Sequence, residues 1–143
     1  MKVVAIAGKA GSGKGVVGDI LVDEYGFTPV AFADPMKLFI HEILQIPKDT
    51  LWGPSQMRTA AAREVLQALG TWGRTHTDTC WADALVRRIR AWDRTGIDPL
   101  FLAETHGQPK GFVITDLRFP NESIAIRKAF NAYCVQVKRK DSS

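Results

Sequence analysis

An apolar, β-branched run, Lys2-Val-Val-Ala-Ile-Ala7, leads directly into Gly8-Lys-Ala-Gly-Ser-Gly-Lys14, and a helix-compatible stretch follows to about residue 25. Short continuous apolar runs of this kind suit a strand buried on both faces, as in a parallel sheet. The glycine-rich segment has Gly, four residues, then Gly-Lys, placed after a strand and before a helix, and that setting gives the pattern a mechanism. Small residues let the backbone curl until successive N–H groups converge on anionic oxygens. The helix N-terminus adds its dipole, and Lys14 extends a point charge. The alternative is a glycine turn that merely links strand to helix. Motif, position and both flanks agree on a phosphate loop formed by Gly11, Ser12, Gly13, Lys14, Gly15 and Val16.

The pattern usually closes on Ser or Thr, whose hydroxyl holds Mg²⁺, whereas here Gly15 and Val16 follow Lys14. Small-molecule nucleotide kinases of the adenylate kinase type also carry Gly at this point. The departure therefore argues against a GTPase or motor and for a nucleotide kinase, with Mg²⁺ held through water and carboxylates. Ser12 is a weaker hydroxyl candidate, and loop filling is its alternative role.

Beyond the loop, Gly26 is placed to end the first helix. Residues 28–33 read as a second buried strand, and Asp34-Pro35 supplies an N-cap with proline at the first helical position. The following helix runs to about Gln45. Residues 48–107 read as helical; Trp81, Leu85, Ile89 and Trp92 mark one apolar face, leaving Arg87, Arg88, Arg90 and Asp93 on the solvated side. Residues 111–115 form a third strand, 120–130 a helix and 133–137 a fourth strand. Strands alternating with helices imply parallel strands joined by right-handed crossovers. The expected fold is α/β, a small parallel sheet of about four strands between helices.

With 143 residues, one domain is the default. A hydrophobic share of 45% and a charged share of 24% exclude a disordered chain. Cys80 and Cys134 lack CxxC spacing, which excludes a zinc module or disulfide scaffold; they read as reduced thiols in a cytoplasmic protein. The apolar run at 3–7 is too short for a signal-peptide core, and no stretch suits a membrane span. A net charge of +4 favours anionic partners without implying polymeric nucleic acid.

Ligands of open α/β sheets sit beyond the carboxyl ends of the strands. Asp116, in Thr115-Asp-Leu-Arg118, stands where a carboxylate organises hydrated Mg²⁺; a helix cap or salt bridge is the alternative. Asp34 is a second carboxylate at a strand end, with the cap of the next helix as its other explanation. Arg118 either points at transferring phosphate or pairs with Asp116. In the middle region Arg63, Gln67, Gly70 and Arg74 recur as one polar stripe, with Val65, Leu66 and Leu69 turned to the core. Two arginines and an amide suit a monophosphate and a base edge, and a solvated face is the bland alternative. Trp72 is read as lying beside the stripe, available to stack on a base or to pack. The three histidines show no metal spacing.

Taken together, the phosphate loop, Phe32-Ala-Asp-Pro-Met-Lys37, Arg63-Glu-Val-Leu-Gln-Ala-Leu-Gly-Thr71 with Arg74 and Trp81, and Val113-Ile-Thr-Asp-Leu-Arg-Phe-Pro-Asn-Glu122 resemble the phage-type deoxynucleoside monophosphate kinases. The segments occur in the family's order and cover nearly the whole chain. The resemblance implies a cytoplasmic P-loop kinase, a three-layer sandwich in one domain (1–143) with a helical acceptor-binding insertion at about 35–107. It would move the γ-phosphate of ATP, with Mg²⁺, to a (deoxy)nucleoside monophosphate, and a homodimer is compatible with it. By that match Lys14, Asp116 and Arg118 are catalytic and the loop residues bind ATP. Lys9, Asp34, Lys37, Arg63, Gln67, Thr71, Trp72 and Arg74 border the acceptor, and Asp116 and Asp34 hold the metal through water. Two departures are visible: Trp72 follows Thr71 where the family often has an acidic residue, and the lid, further helix and fifth strand that follow the fourth strand are expected to be lacking. A kinase resembling dephospho-coenzyme A kinase, with Asp34 as base, and a low-turnover nucleotide-binding regulator are the rival readings.

Overall fold

The computed structural model describes residues 1–9, 11–54, 57–103 and 108–140. Among these, four strands and six α-helices follow in the order β1 (Lys2–Ala7), α1 (Lys14–Asp23), β2 (Thr28–Val30), α2 (Asp34–Leu44), α3 (Lys48–Trp52), α4 (Ala60–His76), α5 (Cys80–Thr95), β3 (Gly111–Ile114), α6 (Pro120–Phe130) and β4 (Tyr133–Gln136). No helix among the described residues is long and apolar enough to cross a membrane.

The chain forms two compact units, Met1–Phe32 with Ala82–Ser143, and Ala33–Trp81. The second unit takes up the first part of the stretch read as helical at 48–107. From Ala82 that stretch belongs to the first unit, its last helix ends at Thr95, and residues 104–107 lie outside the described residues.

The first unit holds the sheet, all parallel, in the order β2-β3-β1-β4. The α/β class and the small parallel sheet agree with the sequence reading, and the arrangement is compatible with a P-loop kinase-like sandwich. The two central strands are the apolar ones: Val3, Ala5 and Ile6 of β1 and Phe112, Val113 and Ile114 of β3 are buried. By the right-handed crossover rule, α1 belongs on one face and α5 and α6 on the other, because the steps β2 to β3 and β3 to β4 both run opposite to the step β1 to β2. β2 spans only Thr28–Val30 rather than 28–33, since its pairing with β3 ends at Val30 opposite Ile114.

On α5, Leu85, Ile89 and Trp92 are buried, and Trp92 meets Phe112 edge-on at 5.5 Å. Arg88 does not join the solvated side. It lies three residues from Leu85 and four from Trp92, within the apolar stripe, and is only 8% exposed. Its guanidinium makes two hydrogen bonds to Asp98, Nε to Oδ1 at 2.9 Å and Nη2 to Oδ2 at 2.8 Å, and lies over the rings of Trp92 and Phe101. Asp98 supplies what periodicity alone omits, a buried partner in the turn after the helix.

The second unit is helical. Val65, Leu66 and Leu69 of α4 pack with Ile46 and Trp52 against a core of Ile40, Leu51 and Ala62, as the spacing predicts. Thr59 caps α4 by accepting from the Ala62 N–H. Near the other end of that helix the Trp81 indole donates to the Gly70 carbonyl at 3.1 Å. A Cβ at Gly73 would lie 2.6 Å from the Trp81 ring, so the absence of a side chain makes room for the indole.

Candidate phosphate-binding site

β1 and β3 are neighbours whose outgoing connections turn in opposite directions, so the crevice beyond their carboxyl ends is the switch point at which open α/β sheets take ligands. Three backbone hydrogen bonds and one from a backbone N–H to a side chain, at or just below this end of the sheet, tie its segments together. Thr115 N–H donates to Val30 O, Leu117 to Ile6 O, Val137 to Ala7 O, and Phe32 to the Asp116 carboxylate.

The loop after β1 enters α1 through Gly13, whose φ of 96° lies in the left-handed region that a side chain would make costly. Helices are usually capped at this point by a side-chain oxygen. Here there is none, and the amides of Lys14, Gly15 and Val16 have no acceptor among the described residues. Unsatisfied amides at the positive end of a helix dipole form an anion acceptor. Beneath them Ser12 is 8% exposed and its Oγ has no partner among the described residues, a buried hydroxyl that costs about 1–3 kcal/mol if left unmet. A Cβ at Gly8 would stand 2.6 Å from that Oγ and 3.0 Å from the Val137 carbonyl, so close approach accounts for the glycine. The hydroxyl is tucked toward Gly8 at the base of the loop. At Gly15, by contrast, nothing lies within 4 Å of a Cβ.

Lys9 is exposed and Lys14 half-buried, and neither makes an ion pair among the described residues. Asp116 is half-buried, and its Oδ1 accepts the Phe32 N–H at 2.8 Å, which clips the end of β3 to the end of β2. The carboxylate at the N-terminus of α6 belongs instead to Glu122, whose Oε1 accepts from the Arg118 and Phe119 N–H groups, both at 2.9 Å. The Arg118 side chain is exposed and not paired with Asp116. Among the described residues no three His, Cys, Asp or Glu side chains gather to hold a metal. One carboxylate beside a phosphate loop still suits Mg²⁺, which commonly takes one or two carboxylates, waters and substrate phosphates. Asp116 is the residue of this unit that would hold it.

In the second unit Asp34 and Lys37 are both buried on α2. Asp34 is not the cap the sequence predicts. The helix begins at Asp34 itself, Ala33 occupies the cap position, and Asp34 Oδ1 accepts the Trp52 indole N–H at 2.9 Å. The Lys37 ammonium lies 5.8 Å from the centre of the Trp52 ring. Trp52 was not singled out by its sequence; its only signal is an aromatic in a short helix. On α4, Arg63, Gln67 and Thr71 are exposed, Gly70 is buried and Arg74 is half-buried, its guanidinium 3.2 Å from where a Gly70 Cβ would stand. These residues share a face, as the spacing predicts. Trp72 does not share it. At about 100° per residue it falls roughly half a turn away from Arg63 and Arg74, and it is 69% exposed there.

The first unit is therefore an open parallel α/β sheet with a glycine-rich loop leading into an uncapped helix at its switch point. No protein-family model matches the chain. A protein of Acanthamoeba polyphaga mimivirus described as a "putative deoxynucleotide monophosphate kinase" is 26% identical over 152 residues, covering 97% of this chain and 75% of that protein.

Proposed function

We propose that the chain is a nucleotide kinase that transfers the γ-phosphoryl group of ATP to a (deoxy)nucleoside monophosphate. The uncapped amides of Lys14, Gly15 and Val16 at the switch point carry the reading, and the similarity to the mimivirus protein supports the class of acceptor. An oxygen of the acceptor's phosphate attacks the γ-phosphorus, the bond to the β,γ-bridging oxygen breaks, and ADP leaves. Phosphoryl transfer asks the protein for position and charge rather than covalent chemistry. The uncapped amides of Lys14, Gly15 and Val16 cradle the donor's phosphates. Lys14 neutralises charge on the transferring group, and Arg118, with Lys9, adds to that field. Mg²⁺, when bound, would offset charge on the donor's outer phosphates, with Asp116 orienting its waters. On the second unit Arg63 and Arg74 take the acceptor's phosphate, Gln67 and Thr71 its base or sugar, and Asp34 and Lys37 border it.

The deciding experiment is a panel of ribo- and deoxyribonucleoside monophosphates, with dephospho-coenzyme A as a hydroxyl acceptor, each incubated with ATP and Mg²⁺ and read by chromatography. A nucleoside diphosphate product is expected. Product from dephospho-coenzyme A alone, or ATP binding without any product, would replace this reading by one of its rivals. In the same assay Arg63→Ala and Arg74→Ala are each expected to raise the acceptor's KM roughly ten- to a hundredfold, the range of a lost hydrogen bond to a charged group. The KM for ATP should stay near wild type. If both variants weakened ATP and spared the acceptor, the acceptor site would lie elsewhere.

Asp116 has two tasks that one pair of variants separates. Asp116→Asn keeps an oxygen that can accept the Phe32 N–H but removes the charge. It is expected to melt near the wild-type temperature while losing turnover and Mg²⁺ dependence. Asp116→Ala loses the clip as well and should cost a further ~1–3 kcal/mol of stability by denaturant titration. Unchanged turnover and an unchanged Mg²⁺ titration in the asparagine variant would leave Asp116 with the clip alone.

A further inference from the structure

The second unit buries two opposite charges one turn apart. Asp34 and Lys37 stand three residues apart on α2, 5% and 9% exposed, and Ile40, three residues further along the same face, lies in that unit's apolar core. A carboxylate in the first turn of a helix is favoured by the dipole, but the dipole asks for no burial. Taking charges out of water is costly, and such groups persist where their partners are well placed. α3 meets this face with its last two residues, which divide it between them. Leu51 is buried with Ile40, whereas Trp52 reaches the charged end. Its indole N–H donates to Asp34 Oδ1 at 2.9 Å, and its ring centre lies 5.8 Å from the Lys37 ammonium. One side chain thus meets both charges, the carboxylate through its N–H edge and the ammonium through its face. Trp52 also packs against Ile40, Leu51 and Ala62, but a phenylalanine ring would serve that purpose. The indole N–H is the part of the residue that packing does not explain.

We infer that Trp52 is a positioning residue of the acceptor site, fixing the Asp34 carboxylate through its indole N–H and the Lys37 ammonium against its ring, so that both charges are preset when a nucleoside monophosphate arrives. The inference rests on the nucleotide-kinase reading, in which Asp34 and Lys37 border the acceptor, and adds a residue that acts through them. Groups already held in place need no ordering on binding. Loss of the indole is therefore expected in the affinity for the acceptor nucleotide rather than in the chemical step.

The test takes Trp52→Phe, Trp52→Leu, Asp34→Ala and the double variant Trp52→Phe with Asp34→Ala through steady-state kinetics, with dAMP, dGMP, dCMP and dTMP offered separately beside ATP, and through a melting curve. Trp52→Phe keeps the ring, fills most of the same space and should melt near wild type. It is expected to raise the KM of the preferred monophosphate roughly tenfold, the effect of one lost hydrogen bond to a charged group, with kcat and the KM for ATP near wild type. Trp52→Leu also takes the ring face from Lys37 and should lose more. On the Asp34→Ala background the phenylalanine change should cost almost nothing further, because the oxygen that received the N–H is gone. In the wild type, the Trp52 indole N–H resonance, identified by its absence from the NMR spectrum of Trp52→Phe, should move with the preferred monophosphate and stay in place with ATP. Wild-type acceptor kinetics in Trp52→Phe, or losses that simply add to those of Asp34→Ala, would overturn the positioning role and leave the kinase reading standing. So would equal KM changes for both substrates with a lowered melting temperature, the mark of a purely structural tryptophan. A wild-type protein that made no nucleoside diphosphate, and whose indole resonance answered no monophosphate, would remove both.

Discussion

Lys14→Ala is expected to lower phosphoryl transfer by roughly 10²–10³-fold, the usual effect of removing one preorganised contact to developing charge. Lys14 opens α1, is half-buried and has no carboxylate partner among the described residues. Its removal strands no buried charge and breaks no ion pair. Alanine is also a better helix former than lysine, so the thermal melt should stay at or slightly above that of wild type. The loss is therefore expected in kcat, with a smaller effect on the KM for ATP, because the backbone amides proposed to hold the phosphates remain. Lys14→Arg is expected to rescue little, since a planar fork does not replace a compact ammonium in a loop built around a point charge. Steady-state kinetics beside a melting curve suffice. Wild-type kcat in a folded Lys14→Ala protein would move the chemistry away from this loop.

The loop was legible because several levels of the sequence agree there: an apolar run, a glycine pattern and a helix start fall in register. The central strands were legible for the same reason, since burial on both faces leaves β1 and β3 as continuous apolar runs. Edges were harder. Ala31 and Phe32 are as buried as strand residues, yet they lie beyond the pairing of β2, and the Phe32 N–H bonds to Asp116, 84 positions along the chain, instead of to a strand. Apolar character reports burial, whereas a strand boundary depends on where its neighbour stops. Asp34 departs from its expected role as a cap for a related reason. A local rule explained it, while its observed partner, the Trp52 indole, is 18 residues away. Trp72 turns on angle: Arg63, Gln67 and Arg74 keep the helical phase of one face, whereas the tryptophan adjoins that stripe in sequence and not in phase.

The other large expected effect is on stability, at a pair for which only position in the stripe gave a hint. Arg88 and Asp98 are 8% and 2% exposed, joined by two hydrogen bonds, with Trp92 and Phe101 about the guanidinium. Asp98 also organises the turn after α5: its Oδ1 accepts the Leu100 N–H, its own N–H donates to Ala103 O, and its carbonyl accepts from Leu102. Breaking a buried pair by removing one partner commonly costs about 3–5 kcal/mol, because the survivor is left charged in a low-dielectric setting. That is a large share of the ~5–15 kcal/mol that holds a domain together. Asp98→Ala, which loses the turn acceptor too, should fall at the upper end, a drop in melting temperature of roughly 10–15 °C for a chain of this size. Asp98→Asn keeps an acceptor for Leu100 and should lose less. Arg88→Met strands the carboxylate instead. The combination Arg88→Met with Asp98→Asn leaves no charge behind, and it should be more stable than the sum of its single losses predicts. Denaturant titration of the four proteins closes the cycle. Losses that simply add would mean that the two residues act independently, and that the turn, rather than the ion pair, is what Asp98 contributes.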